Sequence, residues 1–192
     1  MLNIQDYFNI KNFKKLKEIG HSPFSSVFIV QEKQTKKIYT ARILRNELSL
    51  DTQEFKDLTR DTSILTKLSH KAILRVCGIS PIDFNNENRP VIFTQYMKNG
   101  SLDKIIDQEK THKAPVEWTF TKKLINIFGI ASAMQYLHSH KILHRDLKPS
   151  NILEDANFYP KISDFGLSKV MESIVAENFP EGASFFMAPE WL

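Results

Sequence analysis

Cysteine is nearly absent from this chain. Cys77 is the one cysteine in 192 residues, which excludes a disulfide framework and predicts a reducing, cytoplasmic setting. Long hydrophobic runs are missing too. No apolar stretch approaches the roughly 18 residues of a spanning helix, and the amino terminus has no signal-peptide core, so no membrane partner is expected. Charge of one sign is scarce, with a net charge of +4. Lys11, Lys14, Lys15 and Lys17, and then Lys33, Lys36 and Lys37, alternate with apolar residues and read as strand faces and a turn. They lack the aromatic-basic stripe of a nucleic-acid binder, so no nucleic-acid partner is expected either. There is no internal repeat and no low-complexity tract. A chain of 192 residues that is 42% hydrophobic buries a real core, and a single domain is the natural expectation.

The chemistry concentrates in His144-Arg145-Asp146-Leu147-Lys148-Pro149-Ser150-Asn151 and in Asp164-Phe165-Gly166, whose aspartate lies thirteen residues after Asn151. Together they supply two carboxylates (Asp146, Asp164), an ammonium (Lys148) and an amide (Asn151). Phosphoryl transfer needs such a set: a group that orients the incoming hydroxyl, a cation near the transferred phosphate, and oxygen ligands for magnesium. Ile152-Leu153 and Lys161-Ile162-Ser163 read as short strands around the turn-rich Glu154-Asp155-Ala156-Asn157. Such a hairpin carries Asn151 and Asp164 to one end, where both can face one metal. The bland alternative is a polar loop before an edge hairpin.

Along the chain, Phe13 to Ile19, Val27 to Glu32 and Ile38 to Leu44 read as strands, with a turn at Gln34-Thr35-Lys36-Lys37. Residues 52 to 68 have helical period, with Leu58, Thr62, Leu65 and Leu68 on one face. Ile73 to Ile82 and Val91 to Tyr96 read as strands around an exposed polar tip, Asp83 to Pro90. From Ser101 the character turns helical. Ser101 is placed as the cap of Leu102 to Glu109, and Phe120 to His138 forms a long apolar helix. The change of character near Tyr96 to Gly100 predicts two lobes with a nucleotide cleft at their boundary.

These motifs resemble those of the eukaryotic protein kinases over residues 13 to 192. The resemblance implies an α+β, two-lobed fold: an antiparallel N-lobe with one main helix over 13–97, and a partial, mostly helical C-lobe over 98–192. It implies ATP and Mg2+ as cofactors and a protein as substrate. Asp146 then matches the catalytic base, Lys148 the lysine that neutralises the transferred phosphate in Ser/Thr-type enzymes, and Asn151 and Asp164 the magnesium ligands. Lys98-Asn99-Gly100-Ser101-Leu102 and Ile73-Leu74-Arg75-Val76-Cys77-Gly78 look most like the tyrosine-kinase-like branch.

The resemblance also assigns a nucleotide site, and there the chain departs from the family. Gly20 is the one glycine of the phosphate loop; Ser22 and Ser25 stand at the other two glycine positions, and Pro23 has no amide hydrogen to offer. Val27 and Thr40 match adenine contacts, and Leu153 is placed among the nucleotide-binding residues. Arg42 stands where the family has its phosphate-holding lysine, and Asp61 where it has the partner glutamate. The longer arginine and shorter aspartate predict a length-compensated bridge, with Asp57 as a competing partner and two solvated surface residues as the alternative. Thr94 matches the gatekeeper, and the backbones of Gln95 and Met97 match the adenine-binding hinge.

Gly166 to Glu190 matches an activation segment whose hydroxyls are Ser168, Ser173 and Ser184, with Arg145 in the position that receives a phosphate on it. Ala183 replaces a threonine common in the family. The family continues past Glu190 with further helices, so the apolar face of Phe120 to Leu137 is expected to need a covering segment or partner. Three readings follow: an ATP-dependent Ser/Thr kinase, a pseudokinase or truncated signalling scaffold that binds nucleotide weakly, or a truncated relative without function.

Overall fold

The computed structural model describes residues 7–23, 25–45 and 66–165, with residues 169–170 as backbone. The chain divides into two compact units, one of residues 1–69 and 75–96, the other of residues 70–74 and 97–192.

The first unit is built on a five-stranded sheet in the order β1-β2-β3-β5-β4, all neighbours antiparallel. Its strands are β1 (Phe13–His21), β2 (Ser25–Glu32), β3 (Ile38–Leu44), β4 (Val76–Ser80) and β5 (Val91–Gln95). Because side chains alternate along a strand, the registers sort them onto two faces. Phe28, Ala41 and Phe93 lie opposite one another, as do Val30 and Tyr39. That face is the core, with Val30, Ala41, Val91 and Phe93 fully buried.

Its cover comes from a segment that the strand pattern does not announce. Tyr7 bridges to Ile79, the Phe8 amide donates to the Ile79 carbonyl at 2.8 Å, and a 3-10 turn at Ile10–Asn12 buries Ile10. The Phe8 ring packs among Phe13 (5.3 Å), Tyr39 (5.9 Å) and Phe93 (5.2 Å). Gly78 makes room for it, since a Cβ there would lie 2.6 Å from Phe8 Cδ1.

Two expectations for this unit are corrected. The strand predicted from Ile73 to Ile82 is confined to Val76–Ser80, because Ile73 and Leu74 give their backbones to Ile162 of the second unit. The polar tip is not wholly exposed: Asp83 is buried, and its Oδ1 accepts from the amides of Asn85 (2.7 Å) and Glu87 (3.1 Å). Of the helix predicted over 52–68, Thr66, Lys67 and Leu68 lie within the described residues; Thr66 and Lys67 are helical, and Leu68 already lies beyond the helix end.

The second unit contains α1 (Leu102–Lys110), α2 (Phe120–Ser139), β6 (Ile142–Leu143), β7 (Ile152–Glu154), β8 (Pro160–Ile162) and β9 (Lys169–Val170). Ser101 occupies the cap position of α1, but its side chain makes no capping bond. It is buried and bridged through its backbone to Leu153. For α2, the cap is Thr119, whose hydroxyl accepts from the Lys122 amide at 3.4 Å. The helix comes close to β8 at Gly129, where a Cβ would lie 2.8 Å from Pro160 Cγ. Its opposite stripe is open, with Phe120 73%, Ile127 66% and Phe128 77% exposed. No helix among the described residues is long and apolar enough to cross a membrane.

Gly78→Ala is expected to lower the stability of the first unit by about 1–3 kcal/mol, because the added Cβ would meet the Phe8 ring at 2.6 Å and force it away from Phe13, Tyr39 and Phe93. Urea denaturation read out by aromatic fluorescence checks this; an unchanged midpoint would show that the strap is not part of the folded core.

Candidate active site

The segment after β6 runs into a 3-10 turn at Pro149–Asn151 and then directly into β7. β7 and β8 pair antiparallel in the register Ile152↔Ile162. Asn151 and Ser163 therefore face each other at the open end of the hairpin, one residue before Asp164. The Asn151 carbonyl accepts from both the Ser163 amide (2.8 Å) and the Ser163 hydroxyl (2.9 Å). Asn151 Nδ2 donates to the Asp146 carbonyl and to Asp146 Oδ2, both at 2.8 Å. Lys148 Nζ reaches the same Oδ2 at 2.9 Å. Asp146, Lys148 and Asn151 thus form one hydrogen-bonded cluster, and Asp164 follows the serine that anchors it.

His144 locks this cluster from beneath. It is buried, its Nε2 donates to the Ser163 carbonyl at 2.9 Å, and its Nδ1 accepts from the Asp146 amide at 3.3 Å. Its ring meets Phe165 edge-on at 5.0 Å. Burial holds its pKa below the ordinary histidine value, against the pull of the Ser163 carbonyl and of Asp146 and Asp164. The neutral tautomer with hydrogen on Nε2 satisfies both contacts. On either side of it, Arg145 (φ 65°) and Asp164 (φ 62°) adopt left-handed backbone, which costs a non-glycine residue about 1–2 kcal/mol. The motif pattern named His144 without assigning it a job; its two fixed contacts supply one.

The cluster suits a divalent cation. Magnesium takes oxygen ligands, typically from one or two carboxylates, and otherwise keeps waters and phosphate oxygens. Since Nδ2 is the atom that Asp146 engages, the Asn151 side chain has Oδ1 left as its oxygen donor, and Asp164, which follows Ser163, would be the carboxylate to join it. No group of three or more His, Cys, Asp or Glu residues that could cage a metal occurs among the described residues, as an open magnesium site of this kind does not need one.

Four of the nucleotide candidates of the first unit share the sheet face opposite its core, whereas Gln95 pairs with the core residue Tyr39. Val27 pairs with Arg42, and Thr40 pairs with both Ile29 and Thr94, so Val27, Thr40, Arg42 and Thr94 line one surface. Gly20 pairs with Val27 at the mouth of the β1–β2 turn. That turn closes on itself: the Ser22 amide donates to the Ser25 carbonyl (2.9 Å), and the Ser25 amide donates to Ser22 Oγ (3.1 Å). With Pro23 between them, the amides of both serines are already engaged. The Gln95 amide donates to the Arg75 carbonyl at 3.1 Å, and the Met97 carbonyl accepts from the Gly100 amide at 3.4 Å. Leu153 lies in β7, opposite Lys161. Asp61 and Asp57, and the activation-segment residues Ser168, Ser173, Ala183, Ser184 and Glu190, lie outside the described residues. Of that segment, the β9 backbone pairs with β6.

A family model described as the protein kinase domain matches residues 13–192. The chain belongs to the protein kinase family. It is 34% identical over 187 residues to cysteine-rich receptor-like protein kinase 10 of Oryza sativa subsp. japonica, covering 94% of this chain and 27% of that protein. It is 35% identical over 189 residues to cysteine-rich receptor-like protein kinase 29 of Arabidopsis thaliana, covering 94% and 26%. Human serine/threonine-protein kinase 32B is 28% identical over 182 residues, covering 95% and 42%. This kinase chain thus spans between about a quarter and two-fifths of the length of these relatives.

The buried, neutral His144 makes a pH prediction. A histidine whose folded pKa lies below its unfolded value destabilises the fold as pH falls, because the unfolded chain then binds more protons. Wild type is expected to lose stability below pH 6.5 relative to His144→Gln, at up to about 1.4 kcal/mol per pH unit. Parallel urea curves for the two proteins between pH 5 and 7 would refute it.

Proposed function

We propose that the chain is an ATP-dependent protein serine/threonine kinase domain, on the strength of one observation: Asp146 is held at a single carboxylate oxygen by both Lys148 and Asn151. With Oδ2 so engaged, Oδ1 is the oxygen that accepts the substrate hydroxyl proton and aims the hydroxyl at the γ-phosphate. Lys148, already beside the carboxylate, balances the charge of the transferred group. Lysine here matches the Ser/Thr pattern, and the relatives named serine/threonine-protein kinases accord with it. Asn151 Oδ1 and Asp164 would hold magnesium, which when bound supplies neutralisation of the β- and γ-phosphates. On the first unit, Val27 and Thr40 would pack against adenine, with Gly20, Ser22, Ser25 and Arg42 toward the phosphates, Asp61 as Arg42's partner, Thr94 as gatekeeper and Gln95 along the nucleotide; on the second unit, Met97 and Leu153 would serve the same nucleotide. Free Cys77 suits a reducing, cytoplasmic setting.

A second reading is favoured by the closed β1–β2 turn. If its amides stay bonded within the turn, the phosphates lose donors that a glycine-rich loop would offer. The domain then binds nucleotide weakly and serves as a pseudokinase scaffold.

Thermal unfolding with and without MgATP tests the site. A rise in midpoint that requires magnesium, and that disappears in Asp164→Asn, is expected, because a ligand bound to the folded state stabilises it by mass action. No rise up to millimolar MgATP would sink both readings. Phosphotransfer to a generic protein substrate then separates them: the kinase reading requires turnover that falls by about 100-fold or more in Asp146→Asn, and the scaffold reading requires none above that variant.

A further inference from the structure

Glu154 is the last residue of β7, and its side chain is wholly buried, at 0% exposed. A carboxylate in such a place needs a cation or several donors. It has one contact of this kind: Asn126 Nδ2, on α2, lies 3.4 Å from Glu154 Oε2. That amide nitrogen shares its two hydrogens with the carbonyls of Lys122 (3.1 Å) and Phe158 (3.3 Å) as well. Two buried atoms are left over, Glu154 Oε1 and Asn126 Oδ1, and neither has a hydrogen-bond partner. Both are acceptors while Glu154 is ionised. A proton on Oε1 would convert one of them into a donor for the other, answering the N–H that Oε2 already receives.

We infer that Glu154 and Asn126 form a protonated acid–amide lock that clamps the β7–β8 hairpin, and with it Asn151 and Asp164, to α2, and that the lock opens when Glu154 loses its proton. The inference concerns the fold of the second unit and does not depend on phosphoryl transfer.

Among the described residues, the nearby cations are engaged elsewhere rather than bonded to Glu154. On α2, Lys122 lies over the Tyr159 ring at 4.3 Å, and Lys123 pairs with Glu109 of α1. On β8, Lys161 donates to the Lys71 carbonyl. The other acids of α1 are engaged locally, Asp103 by the Lys104 amide and Asp107 by Lys110. Asp155, adjacent in the turn, adds like charge. Burial, reinforced by Asp155 and opposed by Asn126 and Lys122, raises the Glu154 pKa to about 7. The hairpin has little slack for rearrangement, since the Glu154 amide donates to the Gly100 carbonyl (2.8 Å), its carbonyl accepts from the Asn99 amide (3.2 Å), and Gly129 brings α2 against Pro160.

The sign of the linkage follows. An acid whose folded pKa is raised stabilises the fold most below its unfolded value, near 4.5, and that contribution is lost as pH rises to about 7. Glu154→Gln keeps the shape, supplies an N–H toward Asn126 Oδ1, and does not titrate. Thermal midpoints of the 192-residue chain and of Glu154→Gln are expected to lie closest at pH 5, to separate up to about pH 7 with the variant higher, and to stay apart above it by about 4 °C or more. His144 and His70 titrate in both proteins, so the difference between them isolates Glu154. A constant offset, no separation, or a variant that is lower at pH 8 overturns the lock. Should the variant not fold, infrared spectra of the wild type decide: a protonated carboxyl band at pH 6 that vanishes by pH 8 supports the lock, and its absence at pH 6 overturns it.

Discussion

Asn151 touches both sides of the chemistry with different parts of itself. Its side-chain nitrogen is bonded to Asp146, and its backbone carbonyl is bonded twice to Ser163. Remove either set and Asp146 and Asp164 are no longer referred to a common frame. Hydrogen bonds to a charged group contribute about 1.5–3 kcal/mol each, a sizeable share of the roughly 5–15 kcal/mol that holds a domain folded. The same residue is a structural joint and, in the proposed site, would also be a ligand. These roles are compatible because they use different atoms: nitrogen and carbonyl for the joint, Oδ1 for a cation.

The joint also explains why strain is tolerated nearby. Arg145 and Asp164 both sit in left-handed backbone, a conformation that L residues avoid. His144 over-determines them. Its ring is fixed at one nitrogen by the Ser163 carbonyl, next to Asp164, and at the other by the Asp146 amide, next to Arg145. A flexible loop would relax such strain; a buried ring with both nitrogens engaged prevents it.

Much of this was legible in the residues, and the rest was hidden for identifiable reasons. Short strand-like runs between turn signals located β1, β2, β3 and β5, and the turn-rich Glu154 to Asn157 between short strand-like runs located the β7–β8 hairpin. These signals are local. What escaped depends on distant partners: Phe8 gains meaning from Gly78, seventy residues on, and Ile73 leaves β4 for Ile162. Ser101 and Glu154 misled by type. A serine before an apolar run suggests a cap, but its side chain makes no capping bond. A glutamate before aspartate suggests an exposed turn, but here it ends a strand inside the core. A buried acid among apolar neighbours could be suspected from the alternation Ile152, Leu153, Glu154, since the first and third share a face.

The hairpin is gripped at both ends by titratable groups whose demands differ. At the open end His144 must be neutral to accept the Asp146 amide, and it becomes so more readily than an ordinary histidine because burial depresses its pKa. At the turn end Glu154 must be protonated to satisfy Asn126, and burial raises its pKa to about 7. One physical cause, exclusion of water, thus favours the uncharged form of both. The two grips coexist in a band that opens at the lowered value of His144 and closes near the raised value of Glu154. Within that band the hairpin carrying Asn151 and Asp164 is held without a buried net charge at either end, whereas an unburied pair of the same residues, with ordinary pKa values near 4.5 and 6.5, would have no pH at which both were uncharged to any useful extent.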